Sequence, residues 1–118
     1  MVEDNDDLRD LFSSSLRLAG FTVMEAADGL AALRILDSTR PDLIVLDLRI
    51  PFVSGFEIQR QLAQMHTRRI PIVVVTALPP DHTMGLDVKC VMQKPVDPGD
   101  LVRTVVRCLG AGAPPAET

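Results

Sequence analysis

Two segments of uninterrupted apolar residues place the strongest constraint on the fold of this chain. Residues 43–46 and 72–75 contain no polar side chain, and they are followed directly by Asp47 and Thr76. A strand with one solvated face alternates between apolar and polar residues, whereas a strand covered on both faces is apolar throughout. Both segments therefore indicate strands of a parallel sheet that has helices on its two faces.

The segments around these strands carry helical spacing and helix-end signals. Apolar residues at helical spacing between Leu8 and Ala19 predict a first helix that stops at Gly20. Three further helices are predicted to begin after a capping residue: Asp28, Ser54 with Glu57 three residues on, and Asp97 before Pro98. Residues 21–26 and 90–93 read as additional short strands. Strands that alternate with helices predict an α/β, doubly wound fold.

Composition restricts the class of protein. At 118 residues, 47% hydrophobic and 24% charged, the chain fits one globular domain, which we place at residues 1–109, with a flexible tail or linker at 110–118. The net charge of −4 and the lack of Trp and Tyr argue against direct binding of nucleic acid. No apolar run approaches the roughly 18 residues of a membrane helix. We therefore expect no membrane association and a cytoplasmic location.

The cysteines and histidines carry no recognisable metal or disulfide spacing. Cys90 and Cys108 form no CxxC pair, so we expect reduced thiols that serve as small hydrophobic side chains. His66 and His82 lie in polar stretches, and we interpret both as solvated surface residues.

Polar residues follow each predicted strand. Glu3 and Asp4 follow the first, Asp47 the third, Thr76 the fourth and Lys94 the fifth. Ligands of an open parallel sheet bind at the carboxyl ends of its strands, so these side chains should meet at one edge. Clustered carboxylates repel one another unless a cation such as Mg²⁺ compensates them. Such a site suits phosphoryl transfer, and an aspartate beside the metal can be the nucleophile.

Several motifs together resemble the receiver domains of two-component response regulators. They are Val-Glu-Asp-Asn at 2–5, Leu-Ile-Val-Leu-Asp-Leu-Arg-Ile-Pro at 43–51, Ser-Gly at 54–55, Val-Val-Val-Thr-Ala at 73–77 and Gln-Lys-Pro at 93–95. The resemblance covers nearly the whole chain, to about Leu109. It implies a five-stranded, flavodoxin-like parallel sheet of order 2-1-3-4-5.

The resemblance also implies a role for each site residue. Asp47 would receive a phosphoryl group from a histidine of a sensor kinase or phosphotransfer protein. Asp4 would bind Mg²⁺ directly and Glu3 through water, while Asp47 and the backbone carbonyl of Arg49 would complete the metal site. Thr76 and Lys94 would bind phosphoryl oxygens, and Pro95 would follow a cis peptide bond. The domain would be a signalling receiver that catalyses only its own phosphorylation and dephosphorylation, with a homodimer left open.

The chain departs from this family pattern in three places. Only two residues precede Glu3, which predicts a truncated first strand. The interval between Thr76 and Lys94 is short, which predicts a shortened fourth helix. Val91 stands where the family usually has an aromatic residue that moves on activation. These departures leave open a pseudo-receiver that binds partners without phosphorylation. A third hypothesis, an aspartyl phosphatase of the haloacid dehalogenase class, requires an acid where this chain has Arg49.

Overall fold

The computed structural model describes residues 1–50, 52, 54–63, 70–83, 85–86 and 88–110. The part of the chain that it describes contains both α-helices and parallel strands. The elements are α1 (Asp6–Leu18), α2 (Gly29–Ser38), β1 (Ile44–Leu46), α3 (Gly55–Ala63), β2 (Ile72–Thr76), β3 (Cys90–Gln93) and α4 (Pro98–Leu109). This confirms the α/β class and the strands predicted at residues 43–46, 72–75 and 90–93.

The three strands form a parallel sheet in the order β1-β2-β3. Val2 lies beside β1 and forms isolated parallel bridges with Leu46 on one side and Ala26 on the other. The Val2 amide donates to the Val45 carbonyl at 2.8 Å, and the Asp47 amide donates to the Val2 carbonyl at 3.0 Å. Across the sheet, the neighbouring segments are in turn Ala26, Val2, β1, β2 and β3. This arrangement corresponds to the predicted 2-1-3-4-5 order. Among the described residues, however, the sheet has three strands rather than five.

The strand predicted at residues 21–26 is wrong in extent. Only Ala26 takes part in a bridge, and the preceding residues are irregular. The Ala26 amide donates to the Met1 carbonyl at 2.9 Å, and the Glu3 amide donates to the Ala26 carbonyl at 3.0 Å. The neighbouring segment is short: Met1 and Glu3 make its backbone hydrogen bonds to Met24 and Ala26, and α1 begins at Asp6. The residues predicted as this strand therefore form one isolated bridge rather than a ladder of paired residues.

Each helix begins at a polar side chain that caps it. The side chains of Asn5, Asp28 and Asp97 accept hydrogen bonds from the amides of Leu8, Ala31 and Asp100, and the Ser54 hydroxyl accepts one from Glu57. Caps of this kind satisfy amides that have no partner within the helix. Gly20 and Gly110, both at positive φ, follow the ends of α1 and α4. The starts predicted at Asp28, Ser54 and Asp97 and the stops predicted at Gly20 and Gly110 are confirmed, whereas the Asn5 cap of α1 was not predicted.

The sheet separates two apolar layers. Alternate residues of β1 and β2 point to opposite faces, and both faces are covered. One layer contains Val2, Ala26, Ala32, Ile44, Leu46, Ile58, Ile72 and Val74. The other contains Phe12, Leu16, Val45, Val73, Val75, Leu101 and Val105. The polar residues that follow the strands are thus carried on a sheet whose body is buried.

The described residues between β2 and β3 contain little helix. Among them a 3-10 turn spans Pro80–His82, and His82 is exposed, as predicted. Proline cannot donate a backbone hydrogen bond, which limits helix growth here. The predicted tail after Gly110 and the predicted surface residue His66 lie outside the described residues. In the part of the chain that the structure describes, no helix has the length and apolar character needed to cross a bilayer.

Candidate functional site

The residues predicted to form a site lie at the carboxyl edge of the sheet. Asp47 follows β1, Thr76 is the last residue of β2, and Lys94 follows β3. Glu3 directly follows the bridge residue Val2. Parallel strands end at the same edge, which explains why residues more than ninety positions apart are neighbours here.

Lys94 joins two of the acids. Its Nζ donates to Glu3 Oε1 at 2.7 Å and to Asp47 Oδ2 at 2.9 Å. Both carboxylates are buried, and Glu3 is fully so. The peptide bond between Lys94 and Pro95 is cis, as predicted. Lys94 is thus the counter-charge for two carboxylates that water scarcely reaches.

Glu3 and Asp4 are adjacent in sequence but differ in environment. The second oxygen of Glu3, Oε2, accepts from the Asn5 amide at 3.1 Å, so both of its carboxylate oxygens are engaged. Asp4 is exposed, and its carboxylate has no partner among the described residues. Asp4 is therefore the acid with free oxygen ligands to offer.

Thr76 is fully buried and is hydrogen-bonded to the segments that follow β2 and β3. Its carbonyl accepts from the Lys94 amide at 2.8 Å, and its Oγ1 accepts from the Leu78 amide at 3.1 Å. The hydroxyl hydrogen is not used in either contact. Thr76 can therefore donate one further hydrogen bond at this edge.

The backbone after β1 is held close to α3. The Arg49 amide donates to Asp47 Oδ1 at 3.0 Å, which fixes the second oxygen of that carboxylate. A Cβ on Gly55 would lie 2.5 Å from the Asp47 carbonyl oxygen and 2.6 Å from Leu48 Cα. Real Cβ atoms do not approach backbone so closely, so glycine at position 55 allows α3 to start against the Asp47 segment. Phe52, in the same loop, is exposed and has a φ of 68°.

The pKa values of Glu3 and Lys94 both depart from their ordinary values. Burial raises the pKa of Glu3, and the hydrogen bond from Lys94 only partly offsets this effect. Burial alone would lower the pKa of Lys94, but its hydrogen bonds to Glu3 and Asp47 outweigh burial and raise it. Lys94 is therefore held in its charged form by the two carboxylates.

The acid cluster has the composition of a divalent-cation site. Ligand oxygens of Glu3, Asp4 and Asp47 all lie within 4.8 Å of one another. Lys94 offsets one of the three carboxylate charges, which leaves two negative charges when all the acids are ionised. Mg²⁺ prefers oxygen ligands and retains water on most positions. The unpartnered, exposed Asp4 beside buried Asp47 fits such an ion.

Sequence reasoning missed three positioning contacts. Arg9 Nη1 donates to the Glu3 carbonyl at 3.0 Å, and the Asn5 amide binds the Glu3 side chain. Gly55 belongs to the Ser-Gly motif at 54–55, but the motif does not show that this glycine permits close packing on Asp47. The spacing of six residues between Glu3 and Arg9 carries no signal that would have predicted the first contact.

Comparison with known proteins identifies the family. The model of the response regulator receiver domain matches residues 1–106. The chain belongs to this family. This assignment agrees with the resemblance predicted from the motifs of the sequence.

Curated relatives of this receiver are response regulators. It is 32% identical over 124 residues to the alkaline phosphatase synthesis transcriptional regulatory protein PhoP of Bacillus subtilis, an alignment that covers 99% of this chain and 51% of PhoP. It is 37% identical over 78 residues to the polar-differentiation response regulator DivK of Brucella anthropi, covering 65% of this chain and 63% of DivK. The chain spans about a third to half the length of the first relatives it matches.

Solved receiver structures have the same fold. The signal receiver domain of a signal transduction histidine kinase from Syntrophus aciditrophicus has a TM-score of 0.83 and 29% identity, covering 92% of this chain and 86% of that one. The receiver domain of a sensor histidine kinase from Pseudomonas aeruginosa PAO1 has a TM-score of 0.81 and 32% identity, covering 93% and 94%. The latter was solved with a magnesium ion coordinated in its active site cleft.

Proposed function

We propose that Asp47 is the phosphoacceptor of this receiver and that its phosphorylation depends on Mg²⁺. The observation that carries the proposal is the arrangement around Asp47. One carboxylate oxygen binds Lys94, the other binds the Arg49 amide, and the ligand oxygens of Glu3 and Asp4 lie within 4.8 Å. This geometry orients a buried carboxylate beside a cation and a candidate metal site.

The proposed reaction transfers a phosphoryl group from a phosphohistidine of a sensor kinase or phosphotransfer protein. An Asp47 oxygen attacks phosphorus, the P–N bond breaks, and the imidazole nitrogen keeps the electron pair. Glu3, Asp4, Asp47 and the carbonyl of Arg49 would hold Mg²⁺, which would neutralise charge on the phosphoryl oxygens. Because Asp4 is exposed and Glu3 is bound to Lys94, we assign direct ligation to Asp4 and contact through water to Glu3.

Two side chains are placed to receive the transferred group. Lys94 already contacts Asp47 and can pair with a phosphoryl oxygen. Thr76 has a hydroxyl hydrogen to donate, while its oxygen holds the Leu78 amide. A phosphoryl group adds about −1.5 to −2 charge and three acceptor oxygens. We therefore propose that it shifts Thr76 and, through Leu78, the 78–89 segment.

This route of signalling does not use an aromatic residue on β3. Val91 lies on the outward face of β3 and is 38% exposed. Its β-branched side chain is short and has restricted χ1 freedom, so it cannot reproduce a large aromatic rotation. The segment that follows Thr76 is the element that we expect to respond.

We also propose the boundaries and setting of the domain. Residues 1–109 would be the receiver, and 110–118 would be a flexible tail or linker. The receiver would work in the cytoplasm and bind no nucleic acid itself. PhoP, whose name describes a transcriptional regulator, is about twice as long as this chain.

A labelling experiment tests this function. Phosphoramidate and Mg²⁺ should add one phosphoryl group to the chain by intact mass, and EDTA should suppress the addition. Asp47→Asn should remove it, whereas Asp42→Asn, at an exposed acid before the same strand, should keep it. Persistent labelling of Asp47→Asn would move the acceptor to another residue. A folded chain that binds Mg²⁺ but is never labelled would favour the pseudo-receiver.

A further inference from the structure

The two cysteines of the chain meet at the end of the sheet opposite the acidic site. Cys90 is the first residue of β3, and Cys108 lies in the last turn of α4. Lys94, at the other end of β3, faces the acids, and α4 starts near that end and runs back along the sheet. As a result, the Sγ atoms of Cys90 and Cys108 are 2.9 Å apart.

The core holds both thiols in position. Cys90 pairs in register with Val73 of β2, and both cysteines pack against the layer that contains Leu101 and Val105. Both residues are only partly buried, so neither is sealed within the core. A disulfide has an S–S length of about 2.05 Å. The sulfur atoms therefore need to approach by only about 0.9 Å from their separation of 2.9 Å.

We propose that Cys90 and Cys108 are a thiol–disulfide exchange site that accepts a small disulfide of the glutathione class and closes to an intramolecular bridge. The reaction is independent of phosphorylation of Asp47. One cysteine sulfur attacks the small disulfide and releases the first small thiol. The other cysteine sulfur then attacks the mixed disulfide and releases the second. The protein loses two hydrogens and two electrons, and the small disulfide becomes two thiols.

The surroundings of Cys108 limit its part in the first step. Burial, followed by the hydrogen bond with Cys90, raises the pKa of the Cys108 thiol to about 11. The thiolate is the attacking species, and Cys108 supplies very little of it at neutral pH. Whichever sulfur attacks first, the other lies 2.9 Å away and resolves the mixed disulfide.

The bridge would fasten the end of α4 to the start of β3. It closes a loop over residues 90–108, which includes Lys94. Closing a loop of this length restricts the unfolded chain and stabilises the folded one if the native geometry is undistorted. We expect oxidation to raise Tm by about 5–15 °C, and reduction to reverse the rise.

Intact mass and peptide mapping of the full chain test the proposal. Oxidised glutathione should remove two hydrogens from the monomer, and dithiothreitol should restore them. Trypsin cuts after Lys89, Arg103 and Arg107, so the oxidised protein should yield peptide 90–103 joined to peptide 108–118. Because this mapping uses the unmodified sequence, it does not depend on the folding of a variant.

Serine variants test the need for both sulfurs. Cys108→Ser and Cys90→Ser should each stop at the mixed disulfide with at most one glutathionyl group, and neither should show the rise in Tm on oxidation. The proposal is overturned if the monomer keeps its hydrogens under oxidised glutathione, if only intermolecular dimers form, or if oxidation leaves Tm unchanged.

Discussion

The two ends of the sheet share one core but differ in how their polar groups are satisfied. At the carboxyl edge, Lys94 bonds to Glu3 and Asp47, and all three side chains are largely shielded from water. At the opposite end of β3, Lys89 is exposed, and Cys90 and Cys108 contact each other. The strands fix the positions of these side chains at both ends, but the paired charges lie at the carboxyl edge.

Removing the lysine at each end of β3 should give the largest contrast in stability. Lys94→Ala leaves buried Glu3 without its counter-charge, and breaking such a pair costs about 3 kcal/mol of unfolding free energy at neutral pH. Lys89→Ala, the matched control, should change stability little because the side chain is exposed. Urea denaturation measures both. Equal losses of unfolding free energy in the two variants would mean that the ion pairs of Lys94 do not stabilise the fold.

The pH dependence of that contrast follows from the pKa shifts. The pKa of Lys94 is raised above its ordinary value of 10.5, so its stabilisation is complete below that value and is lost as pH rises through the raised pKa. The pKa of Glu3 is already raised by burial, and loss of Lys94 raises it further. The penalty in Lys94→Ala should therefore shrink as the pH falls and Glu3 is protonated.

The next largest effect is expected from substituting one glycine at each end of the fold, which tests how closely the backbone packs there. Gly55→Ala forces a methyl group against the Asp47 backbone, and overpacking of this kind costs about 2 kcal/mol. Gly110→Ala meets no atom within 4 Å but carries a positive φ, so it should lose about 1 kcal/mol. Only Gly55→Ala should also slow the labelling of Asp47. If both variants label at the rate of the unmodified chain, close packing of α3 does not matter for the site.

Mg²⁺ should stabilise the carboxyl edge by a smaller amount. At a concentration ten times its dissociation constant, binding adds about 1.4 kcal/mol to the unfolding free energy. Asp4→Ala should remove more of this gain than Glu3→Ala, since Asp4 is exposed and unpartnered whereas Glu3 binds Lys94. Asp10→Ala, at an exposed acid of α1, is the control. Thermal melts with and without Mg²⁺ measure the gain, and equal effects of the first two changes would reject the assigned ligand roles.

The smallest expected effect is a local change in amide exchange. Beryllofluoride, a phosphoryl mimic, should alter protection at Leu78 and along the 78–89 segment because the Leu78 amide bonds to Thr76. Amides near Cys108, at the other end of the sheet, should change less. A response confined to the loop after Asp47 would contradict the proposed signalling route through Thr76.

The sequence was informative wherever a local pattern has a single structural meaning. The apolar runs before Asp47 and Thr76 predicted buried parallel strands, because a strand with a solvated face would alternate. Capping residues marked helix starts for a similar reason: few other side chains satisfy the free amides there. The strand predicted at 21–26 failed because a strand also needs a partner, and only Ala26 found one.

The sequence by itself determined which side chains follow each strand, and therefore that Glu3, Asp4, Asp47, Thr76 and Lys94 share an edge. The tertiary structure alone decided that Glu3 is buried and Asp4 exposed, that α3 needs glycine at position 55, and that Cys90 meets Cys108. Order along a strand is a local property of the chain. Burial, close approach and contact between distant residues depend on how the elements pack, which no local pattern specifies.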